Sequence, residues 1–410
     1  MKSISILLVI LLVLPIVSCD KDKENPVENF DLNFSDAKKA SELIETDSKF
    51  GIDLFKEVLK MEGVPDNVMI SPLSAAIALG MTSNGAKGST LTAFDETLRM
   101  QGYTRDEMNS IYKTLLSYLI HADTAVVLEV ANSIWYHEDF PVLESFIKTN
   151  RNYYQAEVRD LDFNDPGAKN VINGWVANKT HDKIRDILDQ IPTAALMYLI
   201  NAIYFNGIWT YQFDPEDTYT STFRKDDLST VQVKFMSMQQ KVAYMSNDTF
   251  SAIELDYGNR KFSMCFILPK SGKTITDVIN AFNLETFNSL ISNLEETEVK
   301  IFIPKFKFGY KELLNDPLTN MGLGIAFSCS ADFTGINPGG NLFISRVIHQ
   351  SFVDVNEAGT EAAVATVVEI TWGGSSVPFF TANKPFLFLI REKSSNAILF
   401  IGKLGLPVYE

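Results

Sequence analysis

The chain of 410 residues carries 36 Lys and Arg against 51 Asp and Glu, a formal charge of −15, with 46% apolar and 21% charged positions. That apolar share supports a large packed core and excludes a disordered or fibrous chain. The acidic balance repels phosphate backbones and anionic lipid surfaces, so no nucleic acid partner is expected. Three cysteines and four histidines, His121, His137, His181 and His349, are too few for a disulfide scaffold or a zinc ribbon, and no metal or cofactor is expected.

Lys2 precedes an apolar run from Ile6 to Leu14, and the small residue Ser18 stands directly before Cys19. The run is too short to span a bilayer as a helix and has the order of a secretory signal. The Ile-Val-Ser-Cys ending resembles a bacterial lipobox, with Ile16 where leucine is usual, so residues 1–18 are read as a lipoprotein signal peptide and Cys19 as the lipidated residue. Residues 19–35 begin Cys-Asp-Lys-Asp-Lys-Glu-Asn-Pro, polar and without period, which reads as a flexible tether. Its acidic start resembles surface-export signals of Bacteroidetes lipoproteins. The expectation is an exported protein held in the outer membrane by a lipid anchor only, facing either the periplasm or the extracellular side.

From Asp36 to Glu410 no further linker, repeat or low-complexity tract interrupts the chain, which reads as one domain. Phe50, Leu54, Phe55, Val58 and Leu59 fall at helical spacing before Gly63-Val64-Pro65. Ser71-Pro72-Leu73 then opens a second apolar helix running to Met81. Strand character follows: Tyr198 to Phe205 is apolar around Asn201, Phe262 to Leu268 is apolar throughout, and Val299 to Phe308 alternates around Pro304. A helix-rich N-terminal half followed by a strand-rich C-terminal half predicts an α+β architecture around antiparallel sheet.

A search for a catalytic centre returns near misses. Gly80 and Gly85 have Walker spacing, but Ala86 stands where the lysine is needed, so they are read as turn glycines. No HExxH, GxSxG or dinucleotide fingerprint occurs, and Glu295-Glu296 lies in a solvated stretch. His349 with Ser351 two residues on is the remaining Ser–His combination, read as structural in the absence of a visible triad. An enzyme is not expected. Cys265 and Cys329 are read as buried, inert thiols that need no disulfide.

The informative stretch is Glu357 to Pro378. With period two, Thr360, Ala362, Val364, Thr366, Val368 and Ile370 make one small or β-branched face, and Glu361 and Glu369 mark the other. It begins at Gly359 and ends in Gly373-Gly374-Ser375-Ser376, open to cleavage. Period alone also allows a plain sheet strand followed by a hairpin turn.

The run Asn356-Glu-Ala-Gly-Thr-Glu-Ala-Ala-Val-Ala-Thr366 resembles the hinge of an inhibitory serpin. Asn67 to Leu73 with Ser74, Asn201-Ala-Ile-Tyr-Phe-Asn-Gly-Ile-Trp209, Ala331 to Gly335, Ser345 to His349, Asn383 to Phe386 and Phe400 to Lys403 resemble further motifs of that family in order. The resemblance covers residues 36 to 408, with Ala358 standing where an acidic or polar residue is common.

The resemblance implies a serpin fold: a helix-rich N-terminal half around three mainly antiparallel sheets, and an exposed reactive loop at about 359–380. It implies an irreversible, suicide-substrate inhibitor of endopeptidases that traps the acyl-enzyme when the cut loop inserts into the main sheet. Thr360 to Gly373 is fourteen residues, or about 45 Å at strand rise. The hinge is Glu357, Gly359, Thr360, Glu361, Ala362, Ala363, Val364, Ala365 and Thr366, whose small side chains would let insertion outrun deacylation. Ser71, Ser74, Asn201 and His349 match the family's shutter, and Trp209 its breach.

The reactive centre falls among Trp372, Gly373 and Gly374. Glycine before the cut bond suits an elastase-like or subtilisin-like protease, Trp372 just behind it a papain-like one, and a cut after Trp372 a chymotrypsin-like one. No Arg or Lys lies between Glu361 and Thr381, which disfavours trypsin-like targets. Phe94 to Lys113, where some relatives bind heparin, mixes Asp95, Glu96, Asp106 and Glu107 with Arg99 and Arg105, so no heparin site is expected. A monomer is expected. The alternative is a noninhibitory serpin-fold binding or chaperone protein, in which bulky, charged or proline residues tend to occupy the hinge.

Overall fold

The structure, a computed structural model, describes residues 35–193, 195–360 and 377–409. Signal, tether and Cys19 lie outside the described residues, as do residues 361–376 with the reactive centre. Among the described residues no helix is long and apolar enough to cross a membrane.

Helices dominate the first half: α1 (Ala37–Val58), α2 (Pro72–Ser83), α3 (Gly88–Thr97), α4 (Arg105–Leu119), α5 (Glu144–Tyr154) and α6 (Ala168–Lys179), with α7 (Ile275–Ala281) and α8 (Leu284–Ser292) later. Asp36 caps α1 by accepting the Lys39 amide at 3.0 Å. Ser71 caps α2, and Pro72 at its first turn lacks the amide that would otherwise go unpaired. The two helices cross at Gly51, where a Cβ would sit 2.1 Å from the Pro72 ring. Gly80, read from sequence as a turn glycine, instead lies inside α2. A Cβ there would stand 3.3 Å from the Tyr112 ring and 3.2 Å from the Tyr154 hydroxyl, so close packing is what asks for glycine.

The strands are β1 (Val68–Ile70), β2 (Val126–His137), β3 (Glu157–Leu161), β4 (Met197–Ile208), β5 (Tyr219–Arg224), β6 (Thr230–Ser246), β7 (Phe250–Tyr257), β8 (Phe262–Pro269), β9 (Glu295–Pro304), β10 (Phe306–Leu313), β11 (Ile348–Val355), β12 (Gly359–Thr360), β13 (Phe379–Thr381), β14 (Phe386–Glu392) and β15 (Ile398–Leu404). Hydrogen bonding gathers them into a nine-strand network and a six-strand sheet of order β10-β11-β12-β4-β2-β3. The nine-strand network is continuous because β6, at 17 residues, pairs with β9 over most of its length and with β7 at its end. The pairs β2–β3 and β9–β13 are parallel and the others antiparallel.

The Val299–Phe308 run, one alternating segment in the sequence, divides at Lys305. Pro304 ends β9 in one network and Phe306 opens β10 in the other. The main core packs α1 and α2 against β14 and β15. A separate apolar cluster of Trp135, Ile172, Val176, Ile184, Leu188 and Ile200 seats α6 on β2 and β4 of the six-strand sheet.

Candidate functional site

The hinge begins where β11 ends. Residues 356–359 reverse the chain in a tight turn: the Asn356 amide donates to the Gly359 carbonyl at 2.9 Å, and the Gly359 amide returns a bond to Asn356 at 3.3 Å. β12 then runs antiparallel to both neighbours, with Thr360 opposite Val355 of β11 and Gly207 of β4. Glycine is required at 359 because a Cβ would lie 2.2 Å from the Gly207 carbonyl oxygen and 2.6 Å from the Ile208 Cα.

The exposed reactive loop that the resemblance implies, at about 359–380, puts Thr360 outside the sheet. Thr360 is instead already seated: its side chain is buried and its Oγ1 lies 2.6 Å from the Tyr257 hydroxyl. The cause is a prepared slot. Gly207 leaves room for the Tyr257 ring, which stacks on Trp209 at 4.3 Å and 13°. Trp209 reads the turn in two ways, its indole Nε1 donating to the Asn356 carbonyl at 2.9 Å and its amide to the Ala358 carbonyl at 2.9 Å. Ala358 is buried in that turn, ahead of the inserted residues.

Glu357 anchors the turn sideways. Its carboxylate pairs with Lys305 Nζ at 2.7 Å and accepts the Thr218 hydroxyl at 2.8 Å. Partial burial works against the charge, yet the bonds from Lys305 and Thr218 prevail and hold the carboxyl below its ordinary range.

Below the hinge, the two strands flanking the seam are each tied to the first turn of α2. On the β11 side the Ser71 amide donates to His349 Nε2 at 3.1 Å, and Ser351 Oγ donates to the Met69 carbonyl at 2.7 Å. On the β4 side Ser74 Oγ donates to Asn201 Oδ1, Asn201 Nδ2 donates to Asn132 Oδ1 at 2.6 Å, and Asn132 Nδ2 reaches the Tyr154 carbonyl at 2.7 Å. Ser71, Ser74, Asn201 and His349 therefore form one cluster at this seam. Burial pushes the His349 imidazole down to about 4, so at neutral pH its Nε2 is an acceptor. Both candidate catalytic groups, His349 and Ser351, are spent on backbone groups, which leaves no base–nucleophile pair between them. Lower still, α2, Leu196, Met197, Leu199 and Asn341 to Val347 line a groove of about 110 Å³, with Leu79, Phe343 and Val347 among its walls.

Glu361, Ala362, Ala363, Val364, Ala365 and Thr366 of the hinge and Trp372, Gly373 and Gly374 of the reactive centre lie outside the described residues. The sequence reading missed Tyr257, Asn132 and Lys305. Asn132 had a signal, a polar residue inside the apolar strand sequence Val126 to Tyr136, as Asn201 is in β4. Tyr257 and Lys305 had none, because their partners are remote in the chain. Cys329, read from sequence as buried, is exposed, in the turn that follows the short helical segment Gly324–Phe327. Cys265 is buried in β8, and neither forms a disulfide.

A family model described as serpin (serine protease inhibitor) matches residues 45–407. The chain is 34% identical to intracellular coagulation inhibitor 2 of Tachypleus tridentatus, over 87% of this chain and 89% of that protein. It is 31% identical to human serpin I2, over 88% and 91%. Among solved structures, the thermophilic serpin tengpin in its native state superposes with a TM-score of 0.82 at 31% identity, covering 91% of this chain and 95% of that one. Human thyroxine-binding globulin complexed with its hormone gives 0.82 at 29%, covering 90% and 100%. With the family model matched over residues 45–407 and relatives of this identity along most of its length, the chain belongs to the serpin family.

Proposed function

We propose that this serpin is an irreversible inhibitor of endopeptidases, acting as a suicide substrate whose cut loop becomes a new central strand of the six-strand sheet. The observation that carries the reading is β12, already laddered between β11 and β4 with Thr360 locked on Tyr257. Continuing both antiparallel ladders from Thr360 would bring Thr366 opposite Asn201 and His349, in the polar cluster, and Ile370 opposite Met197 and Ser345, at the lower groove. The residues that would follow Thr360 inward are small or β-branched, which suits rapid zippering.

The reactive centre at Trp372, Gly373 and Gly374 favours elastase-like, subtilisin-like, chymotrypsin-like or papain-like targets. Lipidation at Cys19 would place the inhibitor on the outer membrane as a tethered monomer. The basic residues near a possible polyanion surface are already engaged: Arg105 with Asp95, Arg99 with Asp53 at 3.0 Å and Lys39 with Glu107 at 2.6 Å. This supports inhibition without heparin. The second reading, a noninhibitory carrier, draws on the likeness to thyroxine-binding globulin.

Incubation with one protease from each class separates the two. Inhibition predicts an SDS-stable complex, a released fragment beginning at Gly373, Gly374 or Ser375, and a large gain in heat stability of the cut protein. Cleavage with neither complex nor stability gain selects the carrier reading.

A further inference from the structure

Lys305, at the corner between β9 and β10, has two partners. Its ammonium pairs with Glu357 at 2.7 Å and stands 4.3 Å above the centre of the Tyr409 ring. Tyr409 is held there because the Lys307 amide donates to the Val408 carbonyl at 2.7 Å, which lays this segment beside β10. At the other end of the ring, the hydroxyl faces the side chains of Asp354 and Asn356, which are themselves joined by a 3.4 Å bond from Asn356 Nδ2 to Asp354 Oδ1. Asp354 is itself buried and paired with Lys307 at 3.4 Å. Asn356 caps the turn by accepting the Ala358 amide on its Oδ1 at 3.0 Å. One aromatic side chain thus lies under the cation that holds Glu357 and faces two residues that flank or form the turn.

We propose that Tyr409 is a positioning residue for loop insertion, fixing Lys305 against Glu357 and Asp354 against Asn356 so that the turn stays in register while the strand beyond Thr360 zips. The inference rests on the inhibitory reading above. A cation over an aromatic face is attracted by the ring quadrupole, and the ring also shields the Lys305–Glu357 pair from water. Without it the ammonium is free to turn to solvent, and the turn loses two of its side-chain supports.

The test measures the partition ratio, the number of inhibitor molecules cut per protease trapped, for the full chain with the protease that forms the complex. Tyr409→Ala is expected to raise this ratio about fivefold, the scale of a partly exposed cation–π contact, while Tyr409→Phe recovers part of the loss. A purely structural role would give the same factor whatever stands at 357. A positioning role predicts that in a Glu357→Gln background Tyr409→Ala adds less than about twofold. An unchanged ratio for Tyr409→Ala, or equal factors in both backgrounds with thermal unfolding of each variant still cooperative, would overturn the proposal. Failure of the parent itself to form a complex would instead remove the inhibitory reading on which it stands.

Discussion

The two strand networks are sealed to different degrees. In the nine-strand network, β7, β8, β14 and β15 are joined by long ladders, with one register shift between Ile390 and Arg391, and a buried ion pair crosses them: Arg391 Nε lies 2.7 Å from Glu254 Oε1, which also accepts the Ser263 hydroxyl at 2.7 Å. In the six-strand sheet, among the described residues, the ladder passes from β11 to β4 only through the two residues of β12, and below it the flanking strands are each tied to α2 by side chains. That sheet shares the main core through residues such as Ile203, Phe205 and Val353, and carries besides the small α6 cluster, separate from that core. A seam held by side chains opens at less cost than a ladder, so on the proposed inhibitory reading one network would serve as a fixed frame and the other as the part that accepts a strand.

The comparison is broken most easily at the buried pair. Arg391→Met leaves the buried Glu254 with only the Ser263 hydroxyl at 2.7 Å and Lys393 at 4.0 Å, and a loss of about 3 kcal/mol is expected. Because the frame is common to both states, denaturant melts should show this loss in the uncut and the cut protein alike. A loss confined to one form would mean that the frame also moves.

Next in size is the pH dependence of the seam. The folded His349 value, about 4, lies below the ordinary 6.5, so the unfolded chain binds the extra proton first. Stability contributed by the neutral ring is present above pH 6.5 and is lost as pH falls towards 4, by about 3 kcal/mol in full. His349→Gln should flatten the stability profile between pH 6.5 and 4. An unchanged profile would show that another group controls the acid response.

How far the sequence carried these arguments differs between the two regions. α2 was legible because Ser71-Pro72 is a local start signal, and β4 and β8 because their apolar runs are long. The seam cluster was legible only through family motifs, since hydrogen bonds such as Ser71 to His349 span 278 positions of chain. β12 was not legible: two residues carry no period, and its pairing follows from Gly207, Tyr257 and Trp209, which lie more than a hundred positions away. The corner at Lys305 was hidden for the opposite reason, because β9 and β10 share one alternation although they belong to different networks.

Ser74→Ala sharpens the comparison on a smaller scale. It removes the hydroxyl that ties Asn201 to α2 and should cost about 1–3 kcal/mol in the uncut protein, read by denaturant melts. A smaller loss is expected after cleavage, when the inserted strand supplies new ladder bonds to β4. Equal losses would count against seam opening at this cluster. The smallest expected effects are nulls. Cys265 is buried and unpaired, so reducing agent should leave the inhibition rate unchanged, and sulfated polysaccharide at physiological salt should not raise it tenfold or more.

The most direct measurement of the central claim is the fate of Thr360→Arg when it meets the target protease. Thr360 sits buried against Tyr257, and an unpaired guanidinium in its place would cost several kcal/mol on the order of other buried unpaired charges. Cleavage chemistry around Gly373 should be untouched. The account predicts that Thr360→Arg is cut as a substrate, accumulates no SDS-stable complex and gains no heat stability on cleavage, while Glu361→Ala, on the opposite face of the expected strand, keeps both. Protease trapping by Thr360→Arg as efficient as that of the parent would contradict insertion through this seam.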